Sequence, residues 1–352
     1  MKAGRQFLIV VFAAVGIGFL LACNSIASAP DISSTSTAEP SATIQSTLTA
    51  VCKSGNCTDA CIAKLNSVME ASDQPLSPPK GAAPQNLKTN PVILTVYQVQ
   101  GDQLGSPNFI PNVPADLVSY QKATDVQQKV WEYFIAIIPR DQRKEITQFI
   151  ISSDGRGGLL ASVVQFSNNP KDWALNVDIV DTTKPRNLSF TLIHEFGHLL
   201  TLNDSQIALD TNLMAHSDDP QIVAQAAASC PQYLASDGCS QPDSYINQFF
   251  AKFWPRIYNE WIEVNAAKDE SNYIGLLTHF YRSHPTQFIS PYAATSPEED
   301  IAESWAYFVL MKKPADDSIA HQKVLFFYDF PEFVQLREEI VNGICHYAAL
   351  DQ

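Results

Sequence analysis

Positive charge is scarce in this chain. Its 352 residues carry 23 Lys and Arg against 37 Asp and Glu, a net charge of −14. The first 22 residues hold two basic ones, Lys2 and Arg5, and no acidic ones, so the remainder sits at −16. Binding to nucleic acid draws on clustered Lys and Arg that neutralise phosphates. An acidic balance of this size argues against nucleic acid and against anionic lipid head groups as partners. Internal repeats are missing too, which removes solenoids and other repeat arrays. One uninterrupted apolar run, Phe7 to Ala22, opens the chain, and it falls short of the about 20 residues a stable membrane span needs.

That run has the layout of a secretory signal: a short positive start, an apolar stretch, and then Leu20-Leu21-Ala22-Cys23. Small or apolar residues directly before a cysteine resemble the bacterial lipobox, which implies lipidation of Cys23 after removal of residues 1–22. Residues 23–50 are rich in Ser, Thr and Ala with almost no charge and no apolar periodicity. Such a segment cannot bury enough apolar surface to offset its ordering entropy, so it reads as a disordered tether. The expected location is a membrane-anchored lipoprotein outside the cytoplasm, on the cell surface or the periplasmic face.

Seven cysteines are present. With Cys23 set aside for lipid, Cys52, Cys57, Cys61, Cys230, Cys239 and Cys345 remain, an even number that favours disulfides in an exported chain. Cys230 and Cys239 bracket a short loop and are expected to pair. The other four allow three pairings, which sequence leaves open; one of the first three is expected to reach Cys345. A zinc site built from Cys52, Cys57 and Cys61 is the alternative, disfavoured because an oxidising compartment removes free thiols.

Residues 51–89 combine this cysteine-containing segment with a Pro-rich linker, Pro75 to Pro91 holding five prolines and Gly81. A domain of residues 90–352 follows. Val92–Val99 reads as a buried strand, Ala115 to Ile138 as a helix with apolar residues at Val126, Val130, Phe134 and Ile137, and Glu145–Ile151, Leu159–Phe166 and Trp173–Val180 as three more strands. A central helix begins near Asn187. Beyond it strand-like runs give way to helical stretches at Tyr245–Val264, Pro297–Met311 and Pro331–Val341. The expected class is α+β: an N-terminal mixed sheet with a helix, a central helix, and a helical C-terminal lobe.

The central helix carries His194-Glu195-Phe-Gly-His198. Two histidines four apart project from one face of a helix, so both imidazoles can share one tetrahedral metal at about 2.0–2.1 Å. Glu195 is directed away from that cage but can reach a water in the metal's open position and accept its proton. This is the His-Glu-x-x-His zinc pattern. Leu192, Phe196 and Leu199 form an apolar stripe on the same helix, which makes two solvent-facing surface histidines a poor fit. Gly197 costs roughly 1 kcal/mol against Ala in a helix, a cost tolerated where the backbone must be approached closely beside the metal.

A third ligand is needed, and two candidates compete. Asp204 ends His198-Leu-Leu-Thr201-Leu-Asn-Asp204, a continuation resembling that of the metzincins, with Thr201 where they have the glycine that turns the chain back, and with Asn212-Leu-Met214 mildly resembling their methionine turn. Glu299 lies in Ser296-Pro297-Glu298-Glu299-Asp300-Ile-Ala-Glu303. Pro297 suits a first helical turn, early acidic residues suit the helix dipole, and Ile301, Trp305 and Phe308 make an apolar stripe. Glu299 and Glu303, four apart, let one carboxylate bind metal while the other accepts the free N–H of a ligating histidine.

His194-Glu-x-x-His198 followed by Glu299-Asp-Ile-Ala-Glu303 resembles the gluzincin zinc metallopeptidases, most of all those with lethal-factor-like catalytic domains and related bacterial lipoproteins. The resemblance implies a zincin-like fold and one zinc ion held by His194, His198 and Glu299. It also implies Glu195 as general base, Glu303 as the hydrogen-bond acceptor behind a ligand histidine, and Tyr292, seven residues before Glu299, as an electrophilic helper. It covers the central helix and residues 287–311 rather than the whole chain. The expected activity is hydrolysis of peptide bonds in a peptide or protein substrate. The competing readings are a non-catalytic zinc-binding lipoprotein that keeps the peptidase fold and a substrate-binding lipoprotein of a transporter; an intact Glu195 and Tyr292 argue against the first, and the paired motifs against the second.

Overall fold

The computed structural model describes residues 91–155, 160–182, 185–267 and 271–350. The expected signal, Cys23, the tether, Cys52, Cys57, Cys61 and the linker lie outside the described residues. The chain enters a sheet at β1 (Val92–Gln100), flanked by the short β2 (Gln103–Leu104) and β3 (Asn108–Phe109). β4 (Ile146–Ser153), β5 (Ala161–Gln165) and β6 (Trp173–Asp178) complete it in the order β2-β1-β4-β6-β5. β4 and β6 run parallel, and every other pair is antiparallel. β5 is therefore one edge of an open mixed sheet. All four expected main strands are present, and β6 is buried along its whole length, as an inner strand between two covered faces must be.

The helix expected over Ala115–Ile138 is broken in two, α1 (Val118–Lys122) and α2 (Thr124–Ile137). Two buried amides explain the break. Gln127 Nε2 donates to the carbonyls of Tyr120 and Gln121, satisfying groups that a continuous helix would pair itself, and Gln121 Nε2 ties α1 to the Leu94 carbonyl of β1. α2 then covers one face of the sheet, with Trp131 packed between Phe134 of its own helix and Phe149 of β4.

α3 (Pro185–Leu202) is the expected central helix. Its stripe of Leu192, Ile193, Phe196 and Leu199 is at most 2% exposed, and it packs under β5 on one side and along a later helix, Pro297–Leu310, on the other. The expectation that strands end here is corrected: β7 (Ile207–Leu209), β8 (Leu234–Ala235) and β9 (Gly238–Ser240) form a small antiparallel sheet around α4 (Thr211–Ala215) and α5 (Pro220–Ser229). These strands have two or three residues each, too short for an alternating pattern to show. Cys230, at the end of α5, is disulfide-bonded to Cys239 of β9 with Cα atoms 5.5 Å apart, the expected pairing. Cys345 is disulfide-bonded as well.

The helical lobe contains α6 (Tyr245–Phe253), α7 (Tyr258–Asn265), α8 (Tyr273–Ser283), α9 (Pro297–Leu310), α10 (Ile319–Phe326) and α11 (Pro331–Leu350). The single helix expected over Tyr245–Val264 is split between Phe253 and Tyr258, where Pro255 has no N–H to continue the ladder. α9 is the axis of this lobe, with Ile301, Trp305 and Phe308 fully buried as expected. Gly197 of α3 has its reason here. A Cβ on it would lie 2.9 Å from the Trp305 ring and 3.3 Å from the Ala302 Cα. The glycine lets α9 close on α3, a helix-packing role rather than the expected approach beside a metal. Among the described residues no helix is long and apolar enough to cross a membrane.

Candidate metal centre

The site is made where α3 and α9 meet. Helical spacing puts His194 and His198 on one face of α3, and both are buried, at 1% and 5% exposure. α9 begins at Ser296, whose hydroxyl accepts from the Glu299 N–H, and Pro297 fills its first turn. Ser and Glu three apart at a helix start commonly cap each other reciprocally. Here the Glu299 side chain is instead directed at α3. Its Oε2 lies 3.0 Å from His194 Nε2 and 3.2 Å from His198 Nε2, and the two Nε2 atoms are 3.1 Å apart.

Three donor atoms at the corners of so small a triangle are a chemical problem without a cation. At most one proton can lie on each side, and the remaining lone pairs oppose each other at close range inside the protein. Tetrahedral ligands at about 2.0–2.1 Å from a metal sit about 3.3–3.4 Å from one another. Sides of 3.0–3.2 Å come close to that face. The donor set of two imidazole nitrogens and one carboxylate oxygen suits zinc, so the residues present fit the expected ion.

The surroundings follow the same pattern. Glu303, one turn after Glu299, places Oε1 3.1 Å from His194 Nδ1, close enough for an ion pair but oblique to hydrogen-bond alignment. Its Oε2 accepts from Ser290 Oγ at 2.6 Å. Tyr292 stands in the turn before α9, its ring 5.7 Å from that of His194. Glu195 points to the sheet side, where its Oε2 accepts from the backbone N–H of Val163 on β5 at 2.9 Å. The histidines, Glu195, Glu299, Glu303 and Tyr292 are thus gathered in one place.

Electrostatics polarise the cluster. Burial works against charge on Glu299, but His198 and His194 outweigh it and hold the carboxyl below its usual range. Burial likewise disfavours a charged His194, and Glu299 and Glu303 outweigh it and push that imidazole well above its usual value. Glu195 is pushed up by burial, with His194 and His198 offsetting part of the rise. A carboxyl raised from its usual pKa is closer to the range in which a general base works best.

Asp204, the rival third ligand, is elsewhere. α3 stays helical through Thr201, whose hydroxyl bonds back to the Gly197 carbonyl at 2.8 Å, and the Asp204 carboxylate lies 3.9 Å from Lys171 Nζ at the surface. Several partners have no sequence signal at all. The Val163 N–H is a backbone group, Ser290 has no motif around it, and the fully buried Lys323, which donates to Asp300, stands in a helix with nothing to mark it as an interior cation. Compared with known proteins, the chain matches no family model, no curated protein and no solved structure.

Proposed function

We propose that this chain is a zinc-dependent peptidase of the gluzincin kind with a zincin-like fold, acting outside the cytoplasm from a lipid anchor at Cys23. One observation carries the reading. Three donor atoms from two helices converge within 3.2 Å of each other, with the Glu195 carboxylate on the next residue after His194. His194, His198 and Glu299 would hold the ion. Glu303, braced by Ser290, orients the His194 ring through its Nδ1 side. When bound, zinc supplies an acidified water, with pKa about 7, and a Lewis acid for the scissile carbonyl.

The protein's own groups do the rest. Glu195 accepts the proton of the attacking water and returns it to the leaving nitrogen. Tyr292 donates its phenolic hydrogen to the oxygen that becomes negative as the carbonyl turns tetrahedral. An extended peptide suits the approach. β5 is a sheet edge, Val164 and Phe166 are exposed on and beside it, and its Val163 N–H reaches Glu195. A substrate added to such an edge would pass beside the base.

The test is the purified full chain, prepared without chelator. It should contain one zinc and cleave a quenched-fluorescence peptide library. Glu195→Gln should keep zinc and fold while hydrolysis falls by about 10²–10⁴. Zinc content near zero with no uptake on titration overturns the metal centre. Full zinc with no hydrolysis by the wild type favours the non-catalytic binding protein.

A further inference from the structure

The ladder that holds β5 in the sheet also fixes what its free edge offers. β5 pairs antiparallel with β6, Ala161 opposite Val177 and Gln165 opposite Trp173. Just beyond the two ends of this pairing, the Asp178 N–H donates to the Leu160 carbonyl at 2.9 Å and the Phe166 N–H to the Asp172 carbonyl at 3.2 Å. Along an antiparallel ladder, hydrogen-bonded residues alternate with residues whose N–H and C=O point away from the partner strand. Leu160 and Phe166 face β6, so Ser162 and Val164 between them do too. Ala161, Val163 and Gln165 therefore present their backbone groups to the open edge. One of these groups is taken. The Val163 N–H donates to Glu195 Oε2 at 2.9 Å, and Glu195 is only 5% exposed. The proposed general base is thus held by the donor in the middle of the edge that an extended peptide would join.

We infer that the Val163 N–H is a shared positioning group, bound to Glu195 in the free protein and to a backbone carbonyl of the substrate in the complex, so that the site selects an extended polypeptide over a small amide. The inference rests on the peptidase reading and goes beyond it. A residue carries one backbone N–H. A strand paired at Val163 needs that N–H, and a carboxylate oxygen and a carbonyl oxygen repel each other at a single donor. Pairing therefore displaces Glu195 from the edge. Its carboxylate loses the backbone donor as a peptide bond is laid beside it, and turns to the attacking water. An amide too short to reach β5 leaves Glu195 where it is. The ladder with β6 makes no use of this N–H, so the exchange of partners leaves the sheet intact.

The experiment compares two probes on the zinc-loaded full chain. One is a hexaalanine whose central peptide bond is replaced by a phosphinate; the other is dimethylphosphinate, which keeps the metal-binding group alone. The ratio of their Kd values isolates the edge. Glu195→Ala leaves the Val163 N–H without a competitor, so the preference for the peptide should rise by about 2–10-fold, what one hydrogen bond contributes net. Val163→Pro removes the donor from both contestants. It should leave the preference of the wild type nearly unchanged and lower that of Glu195→Ala by the same about 2–10-fold. Proline is tolerated where the N–H of an edge strand faces outward, so Val163→Pro should keep its zinc and most of its Tm, and Val164→Pro, which breaks the ladder, should melt lower. Hydrogen exchange at the Val163 amide should be slow in the free wild type, faster in Glu195→Ala, and slow again with the peptide bound. A preference unmoved by Glu195→Ala, or one that Val163→Pro lowers equally in both backgrounds, overturns the inference while zinc binding and hydrolysis stand. A chain that holds no zinc overturns the peptidase reading, and the inference with it.

Discussion

Glu299 and Asp300 are neighbours on α9, both buried carboxylates, and they meet opposite fates. Glu299 turns toward α3 and meets two imidazoles that cannot all keep their lone pairs apart. Asp300 turns into the helical lobe and meets a lysine of the chain itself. Its Oδ2 accepts from Lys323 Nζ and, at 2.9 Å, from Trp254 Nε1. Lys323 also donates to the Gln287 carbonyl at 2.7 Å and stands 4.3 Å from the centre of the Phe288 ring. Burial pushes Asp300 up to about 6 and Lys323 down, while each offsets part of the other's shift. The lesson is one of closure. The Asp300 cluster finds its counter-charge within the chain, as an internal ion pair that joins α9 to α10, with Asp300 Oδ1 left without a hydrogen-bond partner. In the proposed reading, the Glu299 cluster takes its counter-charge from an ion outside the chain.

The sharpest break of that comparison is Glu299→Ala. A lost ligand should weaken zinc binding by far more than the 10–100-fold typical of an outer partner, yet thermal stability of the chelated protein should change little, because two neutral imidazoles can remain in place. Equilibrium zinc competition and a melting curve in chelator check the two halves. Retention of tight binding would remove Glu299 from the ligand set. The counterpart is Lys323→Met. It leaves Asp300 buried without its cation and should cost about 3–5 kcal/mol of unfolding free energy in denaturant titration, while the folded fraction keeps one zinc. If it lost zinc at unchanged stability, the two clusters would be one system.

Much of the candidate site was legible because its signals are local. His194 and His198 are four apart, Glu299 and Glu303 are four apart, and Ser296-Pro297 announces the helix that carries the second pair. The long strands were legible for the same reason, being runs of apolar and β-branched residues. What was not legible depends on contacts far apart in sequence. The α1–α2 break is made by Gln127 and Gln121 reaching other segments' carbonyls. The anchor of Glu195 is a backbone N–H of an edge strand. Gly197 could be read as a glycine needing close approach, but only packing shows that Trp305 is what approaches.

A smaller effect is expected one turn along α9. Glu303 touches no donor of the triangle; it faces His194 Nδ1 and is held from behind by Ser290. Glu303→Ala should therefore weaken zinc binding by about 10–100-fold, with one ion still bound at saturation. Competition with a chelator of known affinity measures it. A loss as complete as that of Glu299→Ala would place Glu303 in direct contact with the ion.

The smallest effect belongs to Asp204, and it decides between two ways of finishing the cage. In the metzincin-like alternative the chain must turn sharply after His198 to bring a third ligand back, which is the work of a glycine. Thr201 holds that place, and a β-branched residue is strongly disfavoured at positive φ. The structure shows the consequence: Thr201 stays inside α3 with its hydroxyl on the Gly197 carbonyl, and the helix runs on to Leu202. Asp204 emerges beyond it with a 3.9 Å contact to a Lys171 side chain that is 66% exposed. A surface pair of that kind contributes between nothing and about 1 kcal/mol to stability. Asp204→Ala should leave zinc affinity nearly intact and lower Tm only slightly. Should it be the variant that releases the ion, the Glu299 triangle would be a coincidence of packing, and the chain would have to bend back at Leu202 in the metal-bound protein.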